Sequence, residues 1–282
     1  LIRLHSALKA VSIWAASHAS GVHTQYTRFA LVGHARTGSN LLFDVFRSSP
    51  EVEMFHELFS ADHRIIGQGF SDGLSRFYSG YAHCIRAVGC KIFYNHLTNR
   101  EWAEFEKLGE FKIIHLMRRN RLRTLVSLAI AFKTDIWLQT RSRKTIPVDR
   151  RRIYLDPESL IDRIGQIEAW ESETRDRFAH RDMLEIYYED LIDRFDAMAS
   201  TAIRFVGAER WSSNRIAYKR QNPEPLDQLI SNFDEVSQAL RNTPWEKYLE
   251  REISNHGAKN NDPVIGAFEE EAENRSYGST RY

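Results

Sequence analysis

The chain has 282 residues, with 39 Lys plus Arg against 38 Asp plus Glu and a net charge of +1. This length suits one large α/β domain or two small ones, and a content of 42% hydrophobic and 12% aromatic residues is enough for a packed core. The near-neutral balance excludes the broadly basic surface of a general nucleic-acid binder and leaves room only for a local basic cleft.

Leu1–Ala16 carries Arg3, His5 and Lys9 and reads as a short surface helix rather than a signal sequence. The opening Leu1, in place of Met, leaves an upstream segment open. Phe29-Ala30-Leu31-Val32 is an apolar run that reads as a buried strand, followed by the small-residue turn Gly33–Asn40. Leu41, Leu42, Val45 and Phe46 then mark an amphipathic helix. Pro50–Phe55 suggests a turn and a short strand that delivers His56-Glu57-Leu58-Phe59 into a loop. Residues 60–80, rich in Gly, Ser and Asp, read as a surface excursion.

Arg86–Phe93 is a further buried strand, with Lys91 as a site residue or an edge charge, and 101–108 is a helix. Phe111–Leu116 is a strand running into Met117-Arg118-Arg119-Asn120, and Leu122, Leu125, Val126, Ala129 and Ile130 give a strong helical stripe. The basic stretch 139–157 reads as an insertion or lid, or as a solvated charged loop. A long helix from Pro157 to about Arg177, the strand Met183–Tyr188 and a helix ending near Gly207 follow. The loop 219–225 precedes a last helix at Leu226–Leu240, and the polar, acidic tail beyond Asn260 closes the chain. Cys84 and Cys90 are too few for a disulfide framework or a metal knuckle and read as buried thiols of a reducing, cytoplasmic compartment. No run approaches the ~20 apolar residues of a membrane span.

Strands alternating with helices predict an α/β fold with a mostly parallel central sheet flanked by helices, in one domain over 1–260 with its core at 28–245 and a tail at 261–282. Sites in such sheets lie at the carboxyl ends of the strands, where the loops 33–40, 56–59 and 117–121 emerge. The first is a strand, small-residue loop and helix N-terminus, the geometry of a phosphate cradle. Its Gly33-x4-Gly38 spacing is that of a Walker A loop, but Ser39-Asn40 stands where Lys and Ser or Thr are needed for a metal-bound nucleoside triphosphate. The loop's cation is Arg36.

These residues resemble the PAPS-dependent sulfotransferases (PAPS is 3′-phosphoadenosine-5′-phosphosulfate). Four stretches carry the resemblance, in order, between residues 28 and 245. Gly33–Leu42 is similar to the 5′-phosphosulfate loop. Leu116–Asn120 with Ser127 is similar to the 3′-phosphate site. Ile186–Leu191 contains Tyr-Glu-Asp-Leu after a core strand, and Lys219-Arg220-Gln221 opens a C-terminal segment like that of the bacterial sugar enzymes of the nodulation-factor and trehalose type.

The resemblance implies a P-loop-NTPase-like sulfotransferase fold and transfer of the sulfuryl group of PAPS to a hydroxyl of a carbohydrate or glycolipid, without a metal. It implies that Arg36, Thr37, Gly38, Ser39 and Asn40 hold the 5′ end and that Arg119 and Ser127 hold the 3′-phosphate. Lys219 and Arg220 close over it, although the cytosolic branch's Arg-Lys-Gly is absent. Arg118 is read as a second phosphate ligand or, in preference, as a plain surface cation. Glu57, its pKa raised by partial burial, is the expected general base, and His56 is the rival. The expected partner is a small-molecule or glycoconjugate acceptor, with no nucleic acid and no membrane span, and a homodimer is left open. A nucleotide kinase or NTPase with a degenerate P-loop and a non-catalytic nucleotide-binding module are the alternatives.

Overall fold

The computed structural model describes residues 22–60, 70–138, 146–213 and 221–250. The first half contains β1 (Val22–His23), β2 (Thr27–Gly33), α1 (Ser39–Ser48), β3 (Val52–Phe55), α2 (Phe70–Phe77), β4 (Tyr81–Ala82), β5 (Ala87–Phe93) and α3 (Asn99–Glu106). The second half contains β6 (Lys112–Met117), α4 (Arg121–Thr134), α5 (Val148–Arg151), α6 (Pro157–Arg177), β7 (Met183–Tyr187), α7 (Tyr188–Asp193), α8 (Phe195–Phe205), α9 (Leu226–Leu229) and α10 (Phe233–Leu240). A 3-10 turn, Glu246–Leu249, ends the described chain.

Five strands form one parallel sheet in the order β3-β5-β2-β6-β7, and β1 pairs with β4 in a separate antiparallel ribbon. The strand period of two sorts β2 between two cores. Phe29 and Leu31 face the helices α1 and α8, whereas Ala30 and Val32 face α2 and α3. Because both faces are covered, the central strands read as continuous apolar runs rather than alternating ones. A third cluster joins α4, α6, α9 and α10 beside the sheet, with Ile153, Leu155 and Tyr248 among its buried residues. Helix starts are set by local chemistry. Asn120 caps α4 by accepting from Arg123 N at 3.0 Å, Thr98 and Glu101 form a capping box on α3, and Asp156 with Pro157 begins α6.

The α/β class and the parallel sheet stand as the sequence predicts, and several local expectations are corrected. The surface excursion contains α2, whose Leu74 is buried against α3's side of the sheet. The last helix is two: Ile153 N donates to Leu229 O and Ser231 N to Ile153 O, and these bonds hold Ile230 extended between α9 and α10. The described part of the basic stretch is not a solvated loop, since Arg151 is buried there. Cys90 is buried but Cys84 is exposed. The N-terminal stretch, the tail and residues 139–145 and 214–220 lie outside the described residues. No helix among the described residues is long and apolar enough to cross a membrane.

A tight point of the core is Gly89, opposite Phe29 in the β2–β5 register. A Cβ there would fall 2.4 Å from the Phe29 ring, which is fully buried. Gly89→Ala is expected to lower stability by about 1–3 kcal/mol through overpacking, read as a lower denaturant midpoint with an unchanged slope. An unchanged midpoint would mean that the ring moves aside without penalty.

Candidate active site

The loop after β2 turns on two left-handed residues, Arg36 at φ 70 and Gly38 at φ 86. Gly38 is the N-cap of α1, and its carbonyl accepts from Leu41 and Leu42. Only glycine fits there, because a Cβ would lie 2.6 Å from Cδ2 of Tyr188. Thr37 is buried and its hydroxyl donates to His34 O at 2.7 Å, fastening the loop from within. Ser39 and Asn40 open α1, so the dipole's positive end faces the carboxyl edge of the sheet.

Arg36, which is uncommon in a left-handed conformation, is fixed by two bonds. Its Nε donates to Ser127 Oγ at 3.1 Å and its Nη1 to Trp137 O at 2.6 Å. Burial, with Arg118 nearby, pulls its pKa down to about 10, so it is still a cation at neutral pH. The structure therefore joins the first predicted anion loop directly to Ser127 in the middle of α4.

The two arginines after β6 differ in burial and in partners. Arg118, expected at the surface, is buried over the Tyr188 ring at 4.7 Å, with its Nε 3.9 Å from Glu189. Arg119 is half exposed, lies over Tyr187 at 4.3 Å and pairs with Asp190 at 2.7 Å. The Glu189 carboxylate accepts from the backbone N–H of Arg119 at 3.1 Å and more loosely from that of Asn120 at 3.4 Å. Tyr-Glu-Asp is thus a brace: Tyr188 backs the loop glycine, Glu189 holds the turn before α4, and Asp190 takes Arg119. Arg119 is turned toward Asp190, while Ser127 meets Arg36 instead. Lys219 and Arg220 lie outside the described residues.

The second constellation centres on Lys91, at the end of β5 and 1% exposed. β5 lies between β3 and β2, so Lys91 is no edge charge. Its ammonium donates to Asn40 Oδ1 at 2.7 Å, pairs with Glu57 Oε1 at 2.8 Å and meets His56 Nε2 at 3.3 Å. Since an ammonium only donates, His56 Nε2 is the acceptor and a neutral ring carries its proton on Nδ1, 3.7 Å from Glu57. His96 Nδ1 accepts from Phe93 N at 3.2 Å, which directs Nε2–H toward Glu57 Oε2 at 3.8 Å.

Glu57 departs from the expectation of a raised pKa. Burial pushes it up most strongly, but Lys91, His56 and His96 together outweigh that and hold it below the ordinary glutamate value. Burial lowers the pKa of Lys91, and Glu57 opposes that shift. Asn40 occupies the slot where a Walker loop carries Ser or Thr, so the ammonium missing from the loop arrives there from the neighbouring strand. The sequence did carry a signal for it: Lys91 is the one charge between Ala87 and Phe93. Nothing in the local pattern marks His96. Among the described residues there is no group of three or more His, Cys, Asp or Glu side chains placed to hold a metal.

Comparison with known proteins places the chain in a family. Residues 89–235, more than half of the chain, match the family described as Stf0 sulphotransferase. The chain is 26% identical over 242 residues to Nodulation protein H of Rhizobium meliloti (strain 1021), covering 79% of this chain and 94% of that one. It is 25% identical over 241 residues to Nodulation protein H of Rhizobium tropici, covering 79% and 92%. A sulfotransferase structure from Alicyclobacillus acidocaldarius overlaps with a TM-score of 0.45 at 17% identity, covering 81% of this chain and 97% of the other. The chain belongs to the Stf0 sulphotransferase family. The matched span includes Lys91, Arg119 and Ser127 and begins after the loop 33–40 and Glu57.

The electrostatics of the cluster are directly measurable. Removing the ammonium in Lys91→Met takes away the charge and hydrogen bond that lower the Glu57 pKa, so its carboxyl should titrate higher than in the wild type. Carbon-detected titration of labelled glutamate, with Glu57→Gln to assign the signal, reads the shift. An unmoved signal would mean that Lys91 does not hold Glu57 ionised.

Proposed function

We propose that the chain transfers the sulfuryl group of PAPS to a hydroxyl of a carbohydrate or glycolipid, with Glu57 as general base. The observation that carries this reading is the short chain of contacts Glu57–Lys91–Asn40, which sets an ionised carboxylate beside the N-terminus of the helix that follows the anion loop. In the reaction, a bond forms from the acceptor oxygen to sulfur as the bond from sulfur to the 5′-phosphate oxygen breaks. The hydroxyl proton goes to Glu57, and adenosine 3′,5′-bisphosphate leaves with the negative charge.

By analogy with phosphoryl transfer, most of the work is positioning and charge stabilisation. Arg36 and the N–H groups of the loop face the leaving phosphate, and Lys91 supplies charge from the sheet. Ser127 holds the 3′-phosphate. A sulfuryl group carries less charge than a terminal phosphoryl group, so the two cations Arg36 and Lys91 and a helix N-terminus serve where a kinase uses Mg²⁺. A carboxylate held below its ordinary pKa is in its basic form at neutral pH. Its modest proton affinity suits a transition state in which the proton moves late. His56 is the less suited base, because its Nε2 lone pair is engaged by Lys91. The acceptor class rests on the likeness of the Glu57 segment and the C-terminal segment to bacterial sugar sulfotransferases.

The test is transfer of labelled sulfate from PAPS to a panel of sugar and glycolipid acceptors, paired with calorimetry of adenosine 3′,5′-bisphosphate. Wild-type turnover should survive EDTA, and Glu57→Gln should lose about 10²–10⁴-fold in turnover while keeping its affinity for the bisphosphate. Binding of Mg-ATP without the bisphosphate would contradict the donor. Normal turnover in Glu57→Gln beside a dead His56→Ala would move the base to His56.

A further inference from the structure

The loop that follows the undescribed residues 214–220 returns to α4 in a defined way. Asn222 adopts a left-handed backbone at φ 51, a conformation that few residues other than Gly and Asn take readily. Its side chain bridges two elements: Oδ1 accepts from Arg151 Nη1 at 2.9 Å, and Nδ2 reaches Ser127 Oγ at 3.5 Å. The orientation of this amide is fixed by chemistry. A guanidinium only donates, so the amide oxygen must face Arg151 and the NH₂ must face Ser127.

Arg151 is itself immobilised. It is buried and grips Glu224 with two nitrogens, at 2.9 and 2.5 Å, and its Nε donates to Ile146 O at 2.8 Å. A fork of this kind fixes geometry as well as charge. Arg123 Nη1 adds a bond to Glu224 O at 3.0 Å, so the loop is pinned from both α4 and α5.

Three donors converge as a result. Ser127 Oγ accepts from Arg36 Nε at 3.1 Å and lies against Asn222 Nδ2, so its own proton is left to donate outward. The nearby carboxylate, Glu224, is paired with Arg151, and Arg36 brings a positive charge to the point where these groups meet. A guanidinium, a hydroxyl and an amide NH₂ at one spot form an acceptor site for a phosphate oxygen.

We propose that Asn222 is a further ligand-binding residue of the donor site, donating to the same phosphate as Ser127, and that the buried Arg151–Glu224 pair is the positioning element that aims it. This rests on the sulfuryl-donor reading above and extends it to the loop that the sequence credits only through Lys219 and Arg220. On this assignment the described part of the basic stretch has a purpose in the fold: Arg151 serves the donor site from behind.

The test is calorimetric affinity for adenosine 3′,5′-bisphosphate and for adenosine 5′-monophosphate, which lacks the 3′-phosphate. Asn222→Gly keeps the left-handed backbone and deletes the amide, and Asn222→Asp keeps the oxygen facing Arg151 and replaces the donor with an acceptor. Asn222→Gly should weaken the bisphosphate about 10-fold, as expected for one hydrogen bond to a charged group, and Asn222→Asp should weaken it further. Neither should change the monophosphate more than about 2-fold. Arg151→Lys, which retains charge but not the fork, should reproduce part of the same selective loss. If wild type prefers the bisphosphate and both Asn222 variants keep that preference, or lose both ligands equally, the assignment of Asn222 is wrong while the donor reading stands. If wild type shows no preference for the 3′-phosphate, the donor reading fails and this inference fails with it.

Discussion

A charged ammonium at the end of a central, fully covered strand is the constraint from which the site follows. Lys91 cannot be buried as a lone cation, since desolvating an unpaired charge is far too unfavourable. It therefore gathers Glu57, Asn40 and His56 within 3.3 Å. Glu57 and His56 come from the loop after β3 and Asn40 from the first turn of α1, while Lys91 itself stands on β5. One buried charge thus fixes the relative positions of the anion loop, the candidate base and the sheet. Removing Glu57 leaves the Lys91 ammonium buried without its carboxylate, which is why the two act as a unit and not as separable residues.

The opposite half of the site is organised around Ser127 rather than around a charge pair. Arg36 reaches it from the loop, Asn222 reaches it from the C-terminal segment, and Trp137 O takes the second arm of Arg36. The Tyr-Glu-Asp stretch after β7 supports this half from below, with Tyr188 against Gly38 and Glu189 under the turn before α4. On the proposed reading, the Lys91 half handles the transferred group and the Ser127 half anchors the far end of the donor. Arg36 belongs to both, which accounts for a left-handed, half-buried arginine in this loop.

The sheet and its helices were legible in the residues because apolar runs and 3.6-residue stripes report burial directly. The loop 33–40 was legible because its glycine spacing is local. What the sequence could not convey is which way a side chain turns. Arg118 and Arg119 are adjacent and chemically identical, and only the Tyr187 and Tyr188 rings with Glu189 and Asp190 send one inward and the other to the rim. The pKa of Glu57 departs from the sequence expectation for the same reason: burial is foreseeable, but the convergence of Lys91 and His96 on the His56-Glu57 loop is not. The broken last helix depends on a bridge between Ile153 and Ile230, residues far apart in sequence, so no pattern within 226–240 announces it.

The central claim is that Lys91 keeps Glu57 ionised so that it serves as the base. The most direct measurement is the pH dependence of kcat/KM for sulfate transfer from PAPS, in wild type and in Lys91→Met. With Glu57 as base, the acid limb of the wild-type profile should fall below the ordinary glutamate value of about 4.3, leaving the rate flat through pH 5–6. The limb in Lys91→Met should move upward. A wild-type acid limb near the ordinary imidazole value of about 6.5 that does not respond to Lys91→Met would contradict the account and place the proton on His56.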